Sequence, residues 1–250
     1  MSVLESSASK RDPILLVSAS LPARIEHLFL VCRSVAEVLR SSARRWRGGV
    51  PAGVALLLAA CVLAGCGGRT PRLSPLPADA AILAFGDSLT FGTGAQAEAS
   101  YPAVLEKLVG RKVWSAGVPG EVSAAGLARL PSALDYYQPK LLILCHGGND
   151  FLRKLGDDQA AANLRAMIEL GKRRGIEVVL IGVPKPGLFP SPPDFYASIA
   201  KEFGLPYEDA ALKTILRDNE LKSDIAHPNA KGYARMAEAV AALLKKSGAV

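Results

Sequence analysis

Residues 141–145 read Leu-Leu-Ile-Leu-Cys. No position in this run is polar, so the segment has no face to give to water. A strand of that kind must be covered on both sides, which is the situation of strands in parallel sheets. The stretch after Glu177, Val-Val-Leu-Ile-Gly-Val, has the same character. Parallel neighbours cannot be joined by a tight hairpin and need a crossover, usually helical, between them. The chain supplies such segments. From Ala80 onward, strands are expected at Ala81–Phe85, Lys112–Ala116, Leu141–Cys145, Glu177–Val183 and Leu205–Tyr207. Helices are expected at Tyr101–Val109 with Ser100 as cap, Ser123–Leu134 with a break near Pro131, Asp157–Gly175, Asp194–Phe203, Ala210–Arg217 and Asn229–Lys246. Pro184–Pro193 reads as a proline-rich loop. The alternation predicts an α/β fold, a three-layer α/β/α arrangement around a parallel sheet of about five strands. Ligands of such sheets sit at the carboxyl ends of the strands. That directs attention to the loops after Phe85, after Ala116 and after Cys145.

The region before Ala80 reads differently. Arg44, Arg45 and Arg47 precede an apolar run from Val54 to Leu63, which ends in Leu63-Ala64-Gly65-Cys66. A basic stretch, a short apolar run and a small-residue cleavage site form an export signal. The run falls short of the roughly 20 apolar residues of a membrane span. The Leu-Ala-Gly-Cys tetrad resembles the bacterial lipobox. That resemblance implies cleavage before Cys66, a diacylglycerol on its thiol and residence in the cell envelope, at the periplasmic face of the outer membrane. Residues 1–65 are thus expected to be an N-terminal extension and signal peptide, with 1–43 upstream of the true start. Residues 66–79, rich in Gly and Pro, are expected to be a flexible linker, and residues 80–250 the folded domain.

Charge excludes one class of function. The net charge is +7, of which +4 falls in residues 1–65 and +3 in residues 66–250. So mild a balance gives no electrostatic footprint for nucleic acid. The four cysteines, Cys32, Cys61, Cys66 and Cys145, form no CxxC pair or metal-ligand cluster. No disulfide, metal or cofactor is expected, and the domain is expected to be a monomer.

Three loops and one C-terminal segment carry chemistry-bearing residues. Gly86-Asp87-Ser88 places a serine just past a buried strand. Gly117-Val118-Pro119-Gly120-Glu121 lets the backbone approach a ligand closely. His146-Gly147-Gly148-Asn149-Asp150 frees Asn149 to project an amide, a neutral donor suited to an oxyanion. Asp224-Ile225-Ala226-His227-Pro228 spaces a carboxylate and an imidazole so that they can meet, leaving one ring nitrogen free as a base. Pro228 disfavours helical geometry at His227, so the imidazole is expected on a loop. Taken singly, each segment also reads as an ordinary turn or cap.

Together and in this order, they resemble the SGNH/GDSL hydrolases, a flavodoxin-like family of serine esterases, from about Ile82 to the final helix. The resemblance implies Ser88 as nucleophile, His227 as base and Asp224 as its orienting acid. It implies an oxyanion hole made by the N–H of Ser88, the N–H of Gly120 and the Asn149 amide. Gly120 is preferred to Gly117 because an acidic residue, Glu121, follows it. Gly126-Leu127-Ala128-Arg129-Leu130-Pro131, Gln138-Pro139-Lys140 and Tyr101-Pro102 are similar to the branch of periplasmic acyl-thioesterases, lysophospholipases and arylesterases. Ser115 and Val122 stand where that branch usually has Asn and Thr. The implied substrate is a small-molecule or lipid ester. Two rivals stand beside this reading, a deacetylase of envelope polysaccharide and an envelope lipoprotein that only binds lipid or glycan.

Other residues draw plainer expectations. Asp87 and Asp150 position loops and do not act as the base. His146 is read as structural and Cys145 as core. Residues 187–190, Gly-Leu-Phe-Pro, together with Phe195 and Tyr196, form either an apolar wall for an acyl chain or ordinary surface packing.

Overall fold

The computed structural model describes residues 70–250. The export signal, the acylation of Cys66, the extension 1–43 and Cys32, Cys61 and His27 lie outside the described residues.

In chain order the elements are β1 (Ile82–Gly86), α1 (Ser88–Phe91), a 3₁₀ turn (Ala97–Ala99), α2 (Tyr101–Val109), β2 (Val113–Gly117), α3 (Ser123–Tyr137), β3 (Leu141–Cys145) and α4 (Gly148–Leu152). There follow α5 (Asp157–Arg173), β4 (Glu177–Ile181), α6 (Asp194–Phe203), β5 (Tyr207–Glu208), α7 (Ala211–Ile215) and α8 (Ala230–Ser247). The five strands form one parallel sheet in the order β2-β1-β3-β4-β5. β1, β3 and nearly all of β4 are buried at every residue, as their unbroken apolar sequence requires.

The chain steps from β1 outward to β2, then crosses back to β3 and continues. With right-handed crossovers, this reversal puts α2 on one face of the sheet and α3, α5 and α6 on the other. α8 packs against α2, and α3, α5 and α6 form a contiguous layer. The reversal between β1 and β3 opens a crevice at their carboxyl ends, the ligand position of such sheets.

Three expectations are corrected. α3 does not break at Pro131 but runs on to Tyr137. A proline inside a helix removes one hydrogen bond and costs about 3 kcal/mol. Here Leu130, Ala133 and Leu134 are all buried, α3 lies against α5, and that burial outweighs the lost bond. Ser100 does not cap α2 with its side chain. Its hydroxyl donates to the Ala97 carbonyl at 2.6 Å, closing the preceding 3₁₀ turn.

Nor is all of 66–79 a loose linker. Leu73 and Leu76 are buried. Their N–H groups donate to the carbonyls of Ser247 and Ala249, each at 2.9 Å. Arg111 donates to the carbonyls of Leu76 and Pro77, and Ser74 N–H donates to Glu177, the first residue of β4. This strap therefore runs along the end of α8 at the amino ends of the strands, the pole opposite the crevice.

Candidate active site

Asp87 follows β1 and caps α1. Its Oδ1 accepts from Leu89 N–H at 3.0 Å, as expected of an N-cap aspartate. Ser88 is then the first residue of α1, and its own N–H has no intrahelical acceptor. That donor and the Ser88 hydroxyl both stand at the mouth of the crevice.

The Asp224–His227 loop reaches them from the other end of the chain. Asp224 Oδ1 accepts from the N–H groups of Ala226 and His227 at 2.8 and 2.9 Å. A carboxylate fixed this way by its own turn is an Asx turn. Ser223 N–H donates to the His227 carbonyl, and Lys222 bridges to Pro228, so the loop is closed on itself. His227 lies outside α8, which begins at Ala230 with Asn229 as cap. Within the loop, His227 Nδ1 lies 2.8 Å from Asp224 Oδ2 and Nε2 lies 2.9 Å from Ser88 Oγ. Since Nδ1 faces a carboxylate it carries the hydrogen, and Nε2 faces Ser88 as an acceptor. Partial burial pushes the Asp224 carboxyl up, but the Ala226 N–H and the bonds from His227 outweigh it and hold it below its ordinary value. Tyr233, on α8, donates to the Thr93 carbonyl at 2.8 Å, tying the end of the α1 region to the helix behind the loop.

Asn149 stands in the first turn of α4. Its Nδ2 donates to Glu121 O at 3.0 Å and to Asp87 Oδ2 at 3.3 Å. Gly120 has φ +76°, a left-handed conformation that a side chain disfavours. Gly120 lines a cavity of about 570 Å³ with Ser88, Asn149 and His227. Gly117 lies at the end of β2 and lines a separate cleft with Phe91 and Pro102. Arg153 donates to the Gly120 carbonyl at 2.8 Å.

Beneath these residues lies a buried polar cluster. Asp87, His146 and Asp150 are each at most 1% exposed. His146 Nδ1 accepts from Gly147 N–H at 3.0 Å, so the ring hydrogen sits on Nε2, which donates to Glu121 Oε2 at 3.1 Å. Arg129 grips both oxygens of Glu121, at 2.9 and 2.7 Å. Burial alone would push the Glu121 carboxyl up, yet the bonds from His146 and Arg129 and the Arg129 charge hold it down at about 2. Gly126 makes room for this arrangement, since a Cβ there would collide with His146 Nε2. Asp150 accepts from Ser123 N–H at 2.8 Å and from the Ser123 hydroxyl at 2.6 Å, fixing the start of α3. Asp87 sits among these groups, and burial raises its carboxyl above the ordinary value against the opposing pull of His146 and the Leu89 N–H.

Ser88, His227, Gly120 and Asn149 are thus brought to one cavity that Asp87 also lines, with Asp224 held behind His227 and with Asp150 and His146 buried outside the lining. Cys145 is fully buried, and burial pushes its thiol up, as befits core. Glu121, Arg129, Ser123 and Asn163, whose amide donates to the Ser123 hydroxyl at 2.8 Å, carry parts of the scaffold that the sequence did not disclose. Residues 187–190, Phe195 and Tyr196 do not form a single wall. Tyr196 is fully buried and donates to the His146 carbonyl at 2.7 Å. Gly187 and Pro190 line the cavity, whereas Leu188 and Phe189 stand 87% and 77% exposed.

Residues 84–235 match the GDSL-like Lipase/Acylhydrolase family. The thioesterase 1/protease 1/lysophospholipase L1 of Escherichia coli K12 is 31% identical over 156 residues, covering 59% of this chain and 75% of that protein. An arylesterase of Vibrio mimicus is 30% identical over 176 residues, 66% of this chain and 88% of that protein. Among solved structures, the SGNH-hydrolase esterase AlinE4 aligns with a TM-score of 0.53 at 31% identity, covering 67% of this chain and 96% of that one.

Proposed function

Because the chain belongs to the GDSL-like Lipase/Acylhydrolase family and is a hydrolase of ester bonds, we propose that it cleaves carboxylic esters and thioesters of lipid-like acyl groups through an acyl-enzyme on Ser88. The observation that carries this reading is the chain of contacts Asp224–His227–Ser88, at 2.8 and 2.9 Å. His227 Nε2 takes the Ser88 proton as Oγ bonds to the substrate carbonyl carbon. The carbonyl oxygen becomes an oxyanion facing the Ser88 N–H, the Gly120 N–H and the Asn149 amide. Asn149 has two amide hydrogens, both engaged in the free enzyme, and the longer bond, to Asp87, is the one an oxyanion displaces. The C–O or C–S bond then breaks, and the proton on His227 passes to the leaving oxygen or sulfur. Water attacks the acyl-enzyme with the same base, releasing the acid and restoring Ser88.

The cavity favours a fatty acyl group over acetate. Its lining includes Pro119, Leu152, Val183, Pro184, Leu216 and Ile225, and apolar walls of this extent reward chain length. The test is hydrolysis of p-nitrophenyl acetate, butyrate and octanoate by the protein and by Ser88→Ala. Activity should rise towards octanoate and fall about 10⁶-fold in the variant. Highest activity on acetate would support the polysaccharide deacetylase instead, and no hydrolysis by a folded protein would support a binding lipoprotein.

Attachment at Cys66 is part of the same proposal, and the lipobox-like tetrad supports it. It assigns the enzyme to the periplasmic face of the outer membrane. Metabolic labelling with an alkynyl fatty acid in a bacterial host should mark the protein and leave Cys66→Ser unmarked.

A further inference from the structure

Large apolar side chains stand exposed around the mouth of the Ser88 cavity on three separate loops. Leu188 and Phe189 form the tip of one, at 87% and 77% exposure. That tip is clasped at its base, where Lys185 N–H donates to Ser191 O and Arg217 donates to Pro190 O. Gly187 and Pro190, on either side of the tip, line the cavity. Ile225, 80% exposed, sits on the loop between Asp224 and His227. Leu152 and Leu155, 52% and 49% exposed, follow Asn149. Leu152 and Ile225 also belong to the cavity wall, so the exposed apolar surface is continuous with it. Apolar exposure gathered at one opening marks an interaction site, whereas scattered single residues do not.

Each loop pairs its apolar tip with cations. Arg153 and Lys154 lie between Leu152 and Leu155, Lys185 precedes the Leu188 tip, and Lys222 precedes Ile225. Across 152–157, 185–190 and 222–227 there are four lysines and arginines against two acids, Asp157 and Asp224. Both acids are engaged, Asp157 with Lys185 at 2.6 Å and Asp224 with His227. Arg153 lends one N–H to Gly120 O, and Lys222 reaches Leu216 O at 3.3 Å.

We propose that this rim docks on the surface of phospholipid aggregates, so that the cavity draws its ester substrate from that surface. The proposal rests on the hydrolase reading for its substrate and on the rim alone for its docking. Apolar tips beside cations match a surface of acyl chains beneath phosphates, and both terms strengthen binding to anionic lipid. Three separate tips around a hole do not make the single packed face that a protein partner would fill. A fluid surface needs no such face.

The experiment uses the full chain carrying Cys66→Ser, so that no acyl anchor contributes, and every rim variant is read against the same chain with the parent rim, so that binding through the apolar run Val54–Leu63 is common to both. Phe189→Trp places an indole at the tip as a reporter, and the parent protein supplies the background emission of Trp46 and Trp114. With phosphatidylglycerol vesicles the emission of the introduced indole should shift to the blue, and phosphatidylcholine vesicles should give a smaller shift. Lys154→Ala with Lys222→Ala should weaken vesicle binding roughly thirtyfold, given the contribution of each cation near an anionic surface. Leu188→Ser with Phe189→Ser should lower turnover of a vesicle-borne lysophospholipid about tenfold or more, with p-nitrophenyl acetate hydrolysis unchanged. No emission shift with either vesicle, or equal loss on both substrates, overturns the proposal. Emission needs no turnover. Absence of cleavage of all three p-nitrophenyl esters would therefore defeat the hydrolase reading alone, and absence of the shift the docking alone.

Discussion

Asp224 and His227 share one half-exposed loop and hold each other through that loop's own backbone. Asn149 and Gly120 stand instead on polar groups drawn from several elements, in which Glu121 holds Arg129 and His146, Asp87 holds Asn149 and Asp150 holds Ser123, across sequence separations of 8 to 62 residues. The two halves of the site are therefore stabilised differently. The proposed base side uses local turns that water already satisfies in part. The proposed oxyanion side uses charges largely withdrawn from water, which are costly when left unpaired. Substitutions in the first should cost activity and little stability. In the cluster beneath Asn149 and Gly120 the order should reverse.

Asp224→Asn gives the largest effect on this contrast. Asn keeps an oxygen that can accept from Ala226 and His227, so the loop stays closed. It removes the charge that sets the His227 tautomer, and turnover should fall by about 10⁴-fold. The melting temperature should stay close to that of the parent. A large thermal shift would break the comparison.

Asn149→Ala should reduce kcat roughly 10²–10³-fold with little change in KM, the effect of losing one oxyanion donor. Rates measured over a full substrate range test this. A change confined to KM would mean that the amide only shapes the ground state.

Glu121→Gln has the smallest expected effect on turnover, roughly tenfold, and the largest on stability. It leaves the buried His146 and the 29% exposed Arg129 without a carboxylate, and solvent at Arg129 limits the cost to about 1–2 kcal/mol. For a domain of this size that is a fall of about 2–8 °C in melting temperature. The sign with pH follows from the Glu121 carboxyl at about 2. A carboxyl held lower in the folded state than in the unfolded chain stabilises above the unfolded value, about 4.3. That stability drains away as pH falls from about 5 towards 2. The melting temperature of the parent should drop across this window, and that of Glu121→Gln should drop less.

The same contrast explains what is legible in the sequence. The sheet can be read because Leu141–Cys145 and Val178–Ile181 have no polar face, and Asp224-x-x-His227 because its geometry is local. The expected break at Pro131 fails because a local rule meets a tertiary override, the burial of Leu130, Ala133 and Leu134. α1 and α4 leave no trace in the pattern because single turns of four and five residues show no periodicity. The Glu121–His146–Arg129 cluster is hidden for a deeper reason. Its members are brought together by the crossover between β2 and β3, and no spacing along the chain announces that meeting.

The strap at residues 73–76 gives the domain a handle. It is sewn to the last helix by Leu73 and Leu76, at the far end of strands five residues or roughly 16 Å long. A pull arriving through residue 70 is borne by the end of α8 and the sheet's base, not by the loops around Ser88. Immobilisation or fusion through that side leaves the catalytic geometry mechanically insulated from its mounting, with the mouth turned away from the point of attachment.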